Sequence, residues 1–216
     1  MKSEIKAVIF DVGGVLQLER VNRTLGRYSA GIHEYVADKL DIALDTWFDA
    51  IDTPYGRSFI GELSDKRVIE IISDNLGISK IKLTRIYLEA LKKHFKKNQT
   101  LYEFARNLKR KGFIIGVLSD QWALSKKILM PKKDLRGFDI VISSDEVKTR
   151  KPDMKIYKLL LKELKKKNKT IKPTEVIFID NRDYNLRPAE KIGINTVLFK
   201  NNKQAIKEID NLLKFK

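Results

Sequence analysis

Ala7-Val8-Ile9-Phe10-Asp11-Val12-Gly13-Gly14-Val15-Leu16 joins an unbroken apolar run to one acid and a pair of glycines. A run of this kind reads as a strand buried on both faces, and in an open parallel sheet ligands gather beyond the carboxyl ends of the strands. Asp11 therefore stands at a crevice. A buried carboxylate is costly without a cation, several donors or water, and two glycines let the backbone close tightly around whatever is bound. Taken alone, the same pattern also serves as a turn or a helix cap, so the rest of the chain has to decide.

Working outward, apolar runs recur at Phe113 to Leu118, Phe138 to Ile142, Val176 to Ile179 and Thr196 to Phe199. Helical stripes alternate with them: Leu101, Phe104, Ala105 and Leu108; Ile156, Leu159, Leu160 and Leu164; Ala205, Ile206, Ile209 and Leu213. Strands alternating with helices predict an α/β core, a Rossmann-like parallel sheet with helices on both faces. The stretch from Gln17 to Lys93 breaks this rhythm. It has helical periodicity and no convincing strand, with a helix start at Ser64-Asp65 and a helix end at Asn75 to Gly77. It reads as a small α-helical cap domain, residues 17–93, inserted into a core made of residues 1–16 and 94–216.

The chain has 216 residues, no cysteine and a formal net charge of +16. The absence of cysteine excludes a disulfide framework, a thiolate zinc site and a cysteine nucleophile. No stretch is long and apolar enough to span a bilayer, and no secretory signal opens the sequence, so a cytoplasmic protein without membrane contact is expected. Lysines cluster at Lys92, Lys93, Lys96 and Lys97 and again from Lys162 to Lys169. No aromatic-interleaved patch accompanies them, so a solvated lysine face is favoured over nucleic acid binding.

Three further strand ends carry chemistry. Ile114 to Leu118 runs into Ser119-Asp120, where a hydroxyl and following amides suit a phosphate oxygen. Lys151 precedes Pro152-Asp153 and a helix, with Pro152 fitting the first helical turn. Val176 to Ile179 runs into Asp180-Asn181-Arg182-Asp183. Each has a structural alternative as a cap, a solvated lysine or a turn residue. Four in this order form a pattern.

That ordered set, Phe10-Asp11-Val12-Gly13-Gly14-Val15, Leu118-Ser119-Asp120, Lys151-Pro152-Asp153 and Phe178-Ile179-Asp180-Asn181, resembles the haloacid dehalogenase (HAD) superfamily of phosphatases and related hydrolases. The resemblance covers essentially the whole chain, and Gly61-Glu62-Leu63-Ser64 is similar to a segment often seen in the caps of that superfamily. It implies that Asp11 is a nucleophile forming an aspartyl-phosphate. Ser119, Asp120 and Lys151 would bind the phosphoryl group. Magnesium would be held by Asp11, Asp180 and the Gly13 carbonyl, with Asn181 or Asp183 as further ligands. The implied substrate is a small phosphorylated metabolite, for example a sugar phosphate, and the implied state a monomer or homodimer.

Two positions depart from the family pattern. A second aspartate two residues beyond the nucleophile commonly serves as general acid and base, and here that position is Gly13. An acidic residue often follows the metal-binding aspartate, and here it is Asn181. Both departures keep open a weak or inactive phosphate-binding protein, while a metal-free haloacid dehalogenase is the third reading. In the insert and beside it, Gln17, Glu19, Tyr28, Trp47, Tyr55 and Arg57 are candidates for the leaving-group pocket, each equally suited to core or surface. Arg57 is the preferred anion contact. Trp47 reads better as packing, His33 and His94 as structural or solvated, and Trp122 as either a pocket border or an anchor for the helix after it.

Overall fold

The computed structural model describes residues 4–20 and 31–214. Tyr28 lies outside the described residues. Strand β1 (Ala7–Phe10) is at the centre of a five-stranded parallel sheet of order β5-β4-β1-β6-β7, formed with β4 (Ile114–Ser119), β5 (Ile140–Ser143), β6 (Val176–Asp180) and β7 (Asn195–Leu198). All four residues of β1 are fully buried, as an unbroken apolar run requires of a central parallel strand. Its side chains alternate between two cores. Val8 and Phe10 face the side covered by α5 (Gln99–Arg110) and α11 (Asn202–Lys214), whereas Ala7 and Ile9 face α9 (Met154–Lys167) and α10 (Asp183–Lys191). Two short helices, α6 (Ala123–Leu129) and α7 (Lys132–Leu135), connect β4 to β5, and α8 (Ser144–Val147) follows β5.

The chain fills one side of β1 with β4 and β5 before crossing to β6 and β7 on the other, which makes β1 the switch point of the sheet. Crevices open at such points beyond the strand carboxyl ends. Asp11, Ser119 and Asp180 all lie there, on three adjacent strands.

The insert is helical, as its periodicity predicts, and its described residues form a cap of four helices: α1 (Ile32–Leu40), α2 (Leu44–Ser58), α3 (Asp65–Leu76) and α4 (Lys80–His94). Helix α3 starts and stops as read: the Ser64 hydroxyl accepts from the Arg67 N–H, and Gly77 closes it at φ +63°. The reading of no strand needs correction, because β2 (Gln17–Glu19) pairs antiparallel with β3 (Phe95–Lys97) at the neck of the insert. Three residues with one apolar side chain leave no periodicity to read. Pro152 also departs from its expected place, since α9 begins at Met154 behind the Asp153 cap, whose side chain accepts from the Lys155 N–H. The clustered lysines Lys92, Lys93 and Lys165 to Lys167 are exposed. Among the described residues no helix is long and apolar enough to cross a membrane.

Candidate active site

Asp11 leaves β1 with its N–H donating to the Ile179 carbonyl at 2.9 Å, which ties the acid to β6. Lys151 comes from the loop before α9 and is 3% exposed. Its Nζ lies 3.0 Å from Asp11 Oδ1 and 2.6 Å from Asp180 Oδ2, so one ammonium bridges two buried carboxylates. The backbone N–H of Lys151 donates to Asp120 Oδ1 at 3.0 Å. Asp180 is wholly buried, and Asn185 Nδ2 and the Arg182 N–H donate to it as well. Donors of this kind offset the cost of burying a carboxylate.

Charge at the centre is nevertheless unbalanced: Asp11, Asp120 and Asp180 meet one ammonium. Burial, and then the nearby Asp180 charge, push Asp11 up to about 6 against the pull of Lys151. Asp120 is likewise raised by burial despite Lys151 and Arg150. Burial alone would pull Lys151 down, but Asp11, Asp180 and Asp120 together outweigh it and hold the ammonium above its ordinary range.

These residues suit a hard divalent cation. Two carboxylate side chains, Asp11 and Asp180, are within ion-pair distance of one another's partner, and the Asn181 Oδ1, lining the same cavity, is buried with no hydrogen-bond partner among the described residues. Gly13 lines the cavity too. Among the described residues no three His, Asp or Glu side chains converge to hold a metal. Two carboxylates and a free amide oxygen are hard oxygen donors, the kind that a hard divalent cation takes together with water.

Ser119 ends β4 nearly fully buried. Its Oγ accepts from Gln121 Nε2 at 3.1 Å, while Gln121 Oε1 accepts from the Ser125 hydroxyl at 2.7 Å and the Gln121 N–H donates to Ser144 Oγ at 3.0 Å. With a lone pair of Ser119 taken by the amide, its own proton is free for an anion in the cavity.

The remaining residues singled out from the sequence distribute unevenly. Tyr55 and Glu19 line the cavity. Trp122 is buried, its ring 5.5 Å from Tyr55 and 4.9 Å from Tyr87, an anchor behind the wall. Arg57 is exposed and pairs with Glu62 at 3.0 Å, and Asp183 is exposed and accepts from Arg187 Nε at 2.8 Å, so the structure brings neither to the cluster. Gln17 is buried, donating to the Leu129 carbonyl, and Trp47 is buried, its Nε1 donating to His33 Nδ1 at 2.9 Å. The cavity also takes in His33, Phe59, Tyr87, Arg150, Arg182 and Tyr184, which the sequence reading did not select. Arg150 and Arg182 adjoin Lys151 and Asn181 in sequence, but nothing there distinguishes them from the chain's other basic residues, and the cap rings carry no signal either.

Comparison with known proteins bears on the family and the fold. The sequence matches the profile of the haloacid dehalogenase-like hydrolases over residues 35–199. It is 26% identical to bifunctional epoxide hydrolase 2 of Mus musculus over 231 residues, 96% of this chain and 39% of that protein, so the chain spans well under half of that relative's length. Among solved structures, a HAD family enzyme from Bacteroides thetaiotaomicron in complex with magnesium and inorganic phosphate superposes with TM-score 0.67 at 19% identity, covering 91% of this chain and 94% of that one. A HAD phosphatase from Thermococcus onnurineus superposes with TM-score 0.62 at 17% identity, covering 97% and 98%. At these identities the solved structures speak to the shared fold.

Proposed function

This chain belongs to the haloacid dehalogenase-like hydrolase family, and from that premise we propose that it is a magnesium-dependent phosphatase acting on a small phosphorylated metabolite. The observation that carries the reading is the single Lys151 ammonium bridging Asp11 and Asp180 in a cavity shared with Ser119. Asp11 attacks phosphorus, the bond to the leaving oxygen breaks, and the phosphoryl group passes to the carboxylate as an aspartyl-phosphate. Water then attacks that phosphorus, releasing inorganic phosphate and restoring Asp11. Lys151 and the Ser119 hydroxyl meet the negative oxygens and hold the phosphoryl group in line. Lys151 also offsets the repulsion between Asp11 and an anionic substrate. Asp11, Asp180, the Gly13 carbonyl and the Asn181 amide oxygen would hold magnesium, which when bound supplies Lewis-acid stabilisation of phosphoryl charge.

Gly13 presents no acid to the leaving group, so the departing oxygen takes its proton from water. That observation also supports the second reading, a phosphate-binding protein with little turnover. Release of inorganic phosphate from p-nitrophenyl phosphate, with magnesium and with chelator, separates the two. The phosphatase reading expects magnesium-dependent release that Asp11→Asn abolishes. Release undiminished in that variant would sink the covalent mechanism. Binding of phosphate without release from any ester would favour the second reading.

A further inference from the structure

Above Asp11 the cavity, about 390 Å³ in volume, is walled on the cap side by the rings of His33, Tyr55, Phe59 and Tyr87. Their positions are set by packing: Tyr55 meets Phe59 edge-on at 4.8 Å and His33 at 5.9 Å between centroids. Two guanidinium groups share this chamber. Arg150 lies over the Phe59 ring at 5.7 Å, and Arg182 lies over the Tyr184 ring at 5.9 Å while donating to the Tyr184 hydroxyl at 2.6 Å. Among the described residues neither has a carboxylate within ion-pair distance, which is also true of Arg20, Arg85, Arg110 and Arg136; what sets Arg150 and Arg182 apart is that they line the cavity. Each thus lies beside an aromatic ring; Arg182 spends one N–H on the Tyr184 hydroxyl, and neither commits its fork to a carboxylate.

Resting on the phosphatase reading, we infer that the substrate is a phosphomonoester whose leaving group is a compact apolar or aromatic skeleton bearing a second anionic group, a carboxylate or a phosphate, held by Arg150 and Arg182. The phosphoryl end is already met by Lys151 and Ser119, so these two cations answer to something else. A neutral polyol would leave both arginines without a bidentate partner and set its hydroxyls against rings. A planar guanidinium suits carboxylate and phosphate bidentately, and both arginines stand at the exposed rim of the cavity, where a second anion of the ligand would reach them.

Calorimetric binding in magnesium buffer tests this without turnover, using phenylphosphonate, 4-carboxyphenylphosphonate and 1,4-phenylenediphosphonate. The second anion is expected to tighten binding about tenfold or more over phenylphosphonate, the scale of a charge-assisted contact. Whichever of the two dianionic probes gains more identifies carboxylate or phosphate. Arg150→Ala and Arg182→Ala are each expected to shrink the ratio, and Arg57→Ala, outside the cavity, to preserve it. Equal affinities, or a ratio unchanged in both cavity variants, would overturn the inference. Phosphate release from phenyl phosphate and 4-carboxyphenyl phosphate is read separately: no release from either, with the binding preference intact, overturns the phosphatase reading and leaves the pocket assignment standing.

Discussion

Gly13 lines the cavity two residues after Asp11, and a Cβ placed there would meet no heavy atom within 4 Å. The missing side chain is a chemical feature of the site, not a steric demand of the fold. Gly13→Asp is therefore expected to fold normally and, by supplying general acid and base help, to raise kcat/KM on alkyl phosphates by about a hundredfold. The gain on p-nitrophenyl phosphate should be much smaller, because a good leaving group needs no proton. Comparing the two esters checks this, and equal gains would point away from acid catalysis. Gly14 differs in kind: its φ is +80°, and a Cβ there would lie 2.2 Å from Asn181 Nδ2. At this scale Asp11, Ser119 and Asp180 were legible because each ends an apolar run. Arg150 and Arg182 were not, because an arginine beside a motif looks like any other in a chain with 44 Lys and Arg residues.

The cap meets the core at the turn between α2 and α3. Gly61 sits there at φ +62°, and a Cβ on it would come within 2.0 Å of the Asp145 carbonyl oxygen. Gly61→Ala combines backbone strain with a collision against main chain, so it should lower stability by more than about 1 kcal/mol and loosen the cap. A lower Tm together with a raised KM would register both effects; an unchanged Tm would refute the contact. Within the cap, α1 and α2 are tied by the bond from Trp47 Nε1 to His33 Nδ1, which only unprotonated Nδ1 accepts. Burial lowers His33 from its ordinary 6.5, with Glu34 pulling the other way. The unfolded chain then binds the proton first, so this contribution is present above pH 6.5 and is lost as pH falls from 6.5 through the lower folded value. Between pH 7.5 and 5.5 the wild type is expected to lose more Tm than His33→Gln, and an equal loss would remove His33 as the cause. His33 looked isolated in the sequence because its partner lies on the next helix, just as β2 went unseen because its partner β3 closes the far end of the insert.

Across the whole molecule, the cluster at the switch point leaves three carboxylates against Lys151, so a divalent cation should stabilise the folded chain. Magnesium at a hundred times its dissociation constant is expected to add about 2.7 kcal/mol, a Tm rise of about 5 to 10 °C for a chain of this size. Thermal unfolding with magnesium and with chelator reads the shift, which Asp180→Asn should largely remove; no shift in the wild type would argue against the metal site. The sequence by itself determined the parallel α/β core, the helical insert and the three strand-end residues Asp11, Ser119 and Asp180, because burial on both faces, helical periodicity and turn chemistry are local properties written in consecutive residues; Lys151, expected at a strand end, comes instead from the loop after α8. Only the tertiary structure decided which cap rings and which arginines share the cavity with Asp11. Those neighbours come from α1, α2, α4 and the loops before α9 and α10, and their meeting depends on how the cap folds back over the sheet, a long-range packing outcome that no window of sequence contains.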